Sequence, residues 1–193
     1  LIEDEKDETS SKDFGKNVIP KMLENGERMY AYAFDGYWKD VGTIESLWEA
    51  NMDILYNSNL NLSDPDWKIY ARNPVAPPHY AGKNAETVNS IVSEGSELNG
   101  KIKDSVIFYE VETEEDSVIE NSVVMQHAVI KKGAKVYNAI IAQNVEIGEN
   151  AVVGEPCESC TERKITVIGA DSKILPGEII KAGEIIDRSE EGD

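Results

Sequence analysis

The chain has 193 residues, and its 37 Asp and Glu against 19 Lys and Arg give a formal net charge of −18. Such a field repels phosphate backbones and anionic lipid, which argues against nucleic-acid and membrane-surface partners. No apolar run reaches the roughly 20 residues of a membrane span, and a hydrophobic share of 40% suits a globular protein of one large or two small domains.

The opening Leu1-Ile2-Glu3-Asp4-Glu5 lacks the basic and then apolar order of a secretory signal. With no initiator Met, the chain is expected to be part of a longer protein. Glu3–Asp13 is polar and acidic and reads as a loop. Asp13 then suits the N-cap of a helix over Phe14–Glu24, whose apolar side is Val18, Ile19, Met22 and Leu23. Pro20 removes one backbone donor, so it either bends that helix or marks a late start. Asn25-Gly26 closes it. Arg28–Phe34 alternates and is rich in Tyr, Asp35-Gly36 is a hairpin turn signal, and Tyr37–Val41 is the returning strand. Thr43 caps a second helix, Ile44–Tyr56, with Ile44, Leu47, Trp48, Met52 and Leu55 on one face.

Residues 58–86 hold four of the seven prolines and read as an extended linker. From residue 87 a different rule takes over. Ile102, Ile107, Thr113, Ile119, Val124, Ile130, Val136, Ile141, Ile147 and Val153 follow steps of 5, 6 and 6 residues, a period of 17. Ser105, Ser122 and Ala139 recur at the same period. A coil of three short strands explains this pattern, with one aliphatic pointing inward per side and small residues at a corner. No such coil buries its face alone, so coils must stack. The phase breaks over Glu155–Lys164, an expected excursion loop, and resumes at Ile168, Ile174, Ile180 and Ile186. The fold class is therefore mainly β, with a parallel β-helix over residues 87–193 behind an α/β portion over 1–57.

Cys157 and Cys160 form a lone C-x-x-C. Zinc wants four ligands close together, and His79 and His127 are distant in sequence, so two loop cysteines in a reducing cytoplasm are expected. Lys131, Lys132 and Lys135 cluster at one turn, and Glu110–Asp116 and Ser189–Asp193 are acidic. Solvated surface is expected for all three, with binding of an anionic effector or subunit as the alternative for the lysines.

Hexapeptide-type coils fix a fold and leave function open. The distinguishing residues come earlier. Asp13-Phe14-Gly15-Lys16-Asn17-Val18-Ile19-Pro20, then Tyr37-Trp38-Lys39-Asp40-Val41-Gly42-Thr43, then Ala50-Asn51-Met52-Asp53 resemble the bacterial glucose-1-phosphate adenylyltransferase (ADP-glucose pyrophosphorylase) family. The resemblance spans nearly the whole chain and the C-terminal part of the family's proteins. It implies a left-handed hand for the β-helix, and a nucleotidyltransferase domain of which residues 1–57 are the C-terminal part. It also implies a cytoplasmic enzyme of glycogen synthesis, with ATP and glucose 1-phosphate as substrates and Mg²⁺ as cofactor. Oligomers, homomeric or heteromeric, would form through the β-helix.

By the same resemblance Asp40 is a metal ligand and catalytic residue, while Asp13, Phe14 and Trp38 belong to the glucose 1-phosphate pocket. Alternation puts Trp38 and Asp40 on one face of their strand and Tyr37, Lys39 and Val41 on the other. Without the family, Asp13 is equally a helix cap, Phe14 and Trp38 core, and Asp40 a solvated strand-end charge. No Gly-rich nucleotide loop occurs in the 193 residues, so this stretch alone is expected to be inactive. The competing reading is a non-catalytic regulatory or assembly module of a sugar nucleotidyltransferase.

Overall fold

The computed structural model describes residues 1–57, 60–62, 64–71, 74–156 and 163–188. The cysteine pair and the acidic tail from residue 189 lie outside the described residues. Leu1–Gly36 forms one compact unit and Tyr37–Asp193 another.

In the first unit the polar opening is a short helix, α1 (Ile2–Lys6), rather than a loop. Glu3, Asp4 and Glu5 sit in its first turn, where they complement the helix dipole. The Lys12 ammonium donates to the carbonyls of Asp4, Glu5 and Asp7 at 2.5–2.8 Å, satisfying acceptors at the other end. Asp13 is an N-cap, its Oδ1 accepting from Lys16 N at 2.8 Å. Residues Phe14–Val18 follow as one π-helical stretch, and the α-helix proper, α2, runs Ile19–Glu24 with Pro20 in its first turn. Pro20 thus marks a late start, where its missing N–H costs nothing. Gly26, at φ 69°, ends α2, with Glu27 N donating to Met22 O.

The predicted hairpin over 28–41 does not form. Among the described residues no strand is assigned before Tyr80, and Tyr30 and Tyr32 are each 89% exposed. Alternation and an Asp-Gly turn are local signals, whereas an isolated two-stranded ribbon is marginal without a third strand or a packed face.

In the second unit α3 (Ile44–Tyr56) has a full capping box: Thr43 Oγ1 accepts from Ser46 N at 3.1 Å, and Ser46 Oγ accepts from Thr43 N at 3.0 Å. Behind it, 18 short strands among the described residues, from Tyr80–Ala81 to Ile185–Ile186, form three six-stranded parallel sheets. Each strand pairs with the strand three places further along the chain, which is the connectivity of a β-helix. The first strand lies within the stretch 58–86, so the coils begin before residue 87.

The 17-residue register is observed directly. Ile102 pairs with Ile119, Ile119 with Val136, and Val136 with Val153, and none of the four is more than 1% exposed. Ile107 and Val124 align with Ile141, and Thr113 and Ile130 with Ile147. Thr113 breaks the aliphatic run without leaving its hydroxyl stranded, because Oγ1 accepts from Asn99 N at 3.0 Å. After the excursion Ile168 rejoins beside Ile141, and Ile174 beside Ile147.

One corner shows what the small residues do. Ser105 and Ser122 each donate to a carbonyl two residues back at 2.7 Å. Their oxygens then accept from the next coil's backbone, Ser105 from Ser122 N and Ser122 from Ala139 N, both at 3.1 Å. The residues just before positions 105, 122 and 139, Asp104, Asn121 and Asn138, have φ of 47–49°, and Gly154, in register with Tyr137 one place earlier in the coil, has φ 72°. Asn and Asp tolerate this left-handed conformation better than other side chains. A Cβ at Gly154 would meet Tyr137 O at 2.1 Å. Ser122→Ala should therefore strand the buried Ala139 N–H and cost about 1–3 kcal/mol in chemical denaturation.

α3 lies on the outward face of one sheet. Trp48 and Met52 pack with Val106, Val123, Ile140 and Ile165 in a second buried cluster. Trp48 Nε1 donates to Asn121 O and Tyr56 Oη to Asp104 Oδ1, both at 2.8 Å. The Arg163 guanidinium stacks 4.6 Å over the Trp48 ring. The apolar face of α3 is thus covered within this chain rather than left open.

Candidate functional site

Tyr37–Val41 lies outside any helix or strand and leads through Gly42 to the Thr43 cap of α3. Its side chains alternate. Tyr37 and Lys39 turn toward α3: Lys39 Nζ lies 2.9 Å from Glu49 Oε2 and 3.2 Å from Asp53 Oδ2, and Tyr37 Oη donates to Asp53 Oδ2 at 2.9 Å. The Glu49 carboxylate holds the Lys39 ammonium above its ordinary range. Burial, and then the acceptor on Asp53, push the Tyr37 phenol up. Trp38, 76% exposed, and Asp40 face solvent.

Asp40 is held by its own turn, Oδ1 accepting from Gly42 N at 3.1 Å. An exposed carboxylate fixed in this way suits a hard divalent cation, which takes one or two carboxylates and completes its shell with phosphate oxygens and water. Among the described residues no group of three or more His, Cys, Asp and Glu is gathered as a metal cage.

The other two sequence candidates lie in the first unit. Asp13 is half-buried and engaged as the cap of the turn that begins at Phe14; the Phe14 ring is 57% exposed. Trp38 and Phe14 are therefore not core residues here. The structure groups the four as two adjacent pairs, Asp13 with Phe14 and Trp38 with Asp40. What sequence reasoning missed is the underside of the second pair: Lys39, Glu49 and Asp53. The signal was present, since Lys39 alternates away from Trp38 and Asp40, while Glu49 and Asp53 stand one helical turn apart.

Lys131, Lys132 and His127 have local partners. Lys131 Nζ meets Glu114 Oε1 at 3.1 Å and Lys132 Nζ meets Glu115 Oε2 at 3.5 Å. His127 Nδ1 lies 3.2 Å from Glu110 Oε2, with its ring edge-on to Tyr109.

The stacked coils define a hexapeptide-repeat protein: the chain belongs to the family described as GlmU-like, C-terminal hexapeptide, which matches residues 77–175. Residues 1–57, which carry all four candidate residues, match the family described as Nucleotidyl transferase. Among curated relatives, the glucose-1-phosphate adenylyltransferase of Clostridium novyi (strain NT) is 56% identical over 182 residues, 94% of this chain and 46% of its own. That of Clostridium botulinum (strain Alaska E43 / Type E3) is 50% identical over 187 residues, 96% of this chain and 47% of its own. The protein of that name from Bacillus thuringiensis (strain Al Hakam) is 50% identical over 123 residues, 63% of this chain and 33% of its own. The chain spans about half the length of the Clostridium botulinum relative. No helix among the described residues is long and apolar enough to cross a membrane.

Proposed function

We propose that this chain is the C-terminal part of an enzyme that makes ADP-glucose and pyrophosphate from ATP and glucose 1-phosphate for glycogen synthesis. One observation carries the reading: the similarity to two glucose-1-phosphate adenylyltransferases covers 94–96% of this chain, and so takes in the helical portion and the coils alike. A phosphate oxygen of glucose 1-phosphate attacks the α-phosphorus of ATP. The bond from that phosphorus to the β-bridging oxygen breaks, and pyrophosphate leaves. Little covalent chemistry falls to the protein, so catalysis rests on positioning and on neutralising charge.

In this reading residues 1–57 complete the nucleotidyltransferase domain. Trp38 offers an indole platform to the sugar, Asp13 and Phe14 contribute to glucose 1-phosphate binding, and Asp40 holds Mg²⁺. The bound cation supplies charge neutralisation on the phosphates. The β-helix serves assembly into an oligomer.

The test is product formation by the full-length protein given ATP, glucose 1-phosphate and Mg²⁺. ADP-glucose and pyrophosphate in equal amounts are expected. A folded oligomer that forms neither would favour the assembly-module reading. Trp38→Ala should raise the KM for glucose 1-phosphate about tenfold or more while leaving that for ATP near its original value, since loss of a stacking face costs 1–2 kcal/mol or so. An equal rise for both substrates would remove Trp38 from the sugar pocket.

A further inference from the structure

Tyr37–Val41 belongs to no helix or strand among the described residues. With no strand ladder to orient the segment, the side chains of Tyr37 and Lys39 fix one side of it and Gly42 N holds Asp40, and Lys39 lies between Trp38 and Asp40 in the chain. Its ammonium reaches two carboxylates on α3, Glu49 at 2.9 Å and Asp53 at 3.2 Å, and Tyr37 donates to the same Asp53 oxygen. The far side of α3 is itself fixed, through Trp48 to Asn121 O and through Tyr56 to Asp104. A continuous set of contacts thus runs from the β-helix through α3 to Lys39.

We infer that Lys39 is a positioning residue for the proposed nucleotidyl transfer: clamped by Glu49 and Asp53, it turns Trp38 and Asp40 away from α3 and toward the substrates. This role rests on the transfer reaction proposed for the full-length protein. A lysine suits the task, since one ammonium carries three donors and spans two carboxylates that would otherwise repel each other. A surface ion pair that only stabilises would be worth little. Lys39 differs in its place, because the groups on either side of it are the ones proposed to meet substrate.

Lys39→Met, Lys39→Arg and Asp53→Asn in the full-length protein test this, with steady-state kinetics, calorimetric binding of glucose 1-phosphate and thermal unfolding measured together. Lys39→Met should lower kcat/KM for glucose 1-phosphate by about 10- to 100-fold, the effect of a reacting group moved by an ångström or so. It should weaken glucose 1-phosphate binding and leave the KM for ATP and the Tm near those of the wild type. Lys39→Arg should restore most of the loss, and Asp53→Asn should show the Met pattern in milder form. Unchanged glucose 1-phosphate constants in Lys39→Met, beside an active wild type, would overturn the inference alone. So would a loss shared by both substrates that tracks a fall in Tm. A wild type that makes no ADP-glucose would overturn the functional reading and this inference with it.

Discussion

Ile119→Asp should unfold the β-helix or come close to it. Ile119 is fully buried, paired with Ile102 on one coil and Val136 on the next, and the inward column continues to Val153 and Ile180. A carboxylate at that point has no donor among its aliphatic neighbours, and an unpaired buried charge is among the most costly changes a core can suffer. We expect a loss of about 4 kcal/mol or more, at the far end of what single substitutions do. The consequence spreads, because each coil is covered only by its neighbours. Lys101→Gln is the control. It lies one residue before Ile102 on an outward face, where its pair with Glu86 is more than half exposed. It should change stability by no more than about 0.5 kcal/mol. Urea unfolding of both variants reads the difference. Equal stabilities would mean that the inward column is not the core.

The coils were legible because a three-sided coil repeats one requirement, an inward aliphatic, at a fixed spacing. Ile102, Ile119, Val136 and Val153 show it without knowledge of the turns. Two further regularities at the same spacing explain the parts left unread. Asp104, Asn121 and Asn138 mark the left-handed corner, a backbone demand visible only in residue type. Val106, Val123 and Ile140 stand one place before the inward Ile107, Val124 and Ile141, so they face outward and yet are buried. That second apolar column, present on one side of the coil, is the seat of α3. Helix periodicity showed that α3 buries a face, but periodicity carries no information about what covers it.

The hairpin over 28–41 shows the opposite failure. Alternation and the Asp35-Gly36 turn are local signs, and strand pairing is not a local property. The same alternation nevertheless holds from Tyr37 to Asp40, where Tyr37 and Lys39 face α3 and Trp38 and Asp40 face outward, and it ends before Val41, which is 51% exposed. Asp40 was readable from its segment. Its supporting carboxylates, 9 and 13 residues downstream of it, became visible only when α3 was folded beside it.

The second large effect is expected at Asp40. Its carboxylate is exposed and oriented by Gly42 N, and it makes no contact on which the β-helix depends. Asp40→Asn keeps the size of the side chain and the acceptor for Gly42 N, and removes one negative charge. If Asp40 holds Mg²⁺ where the phosphates react, the loss of electrostatic stabilisation is about 3–5 kcal/mol in the transition state. That corresponds to a rate lowered about a hundred- to several-thousand-fold. Fold and assembly should survive, because nothing buried is touched. The measurement that decides most is therefore kcat for Asp40→Asn in the full-length protein, followed as ADP-glucose formation across a Mg²⁺ titration carried to saturation. A metal-ligand role for Asp40 requires kcat to stay at least about a hundredfold below wild type at saturating Mg²⁺, with an unchanged Tm. Turnover near that of the wild type at saturating Mg²⁺ would contradict it.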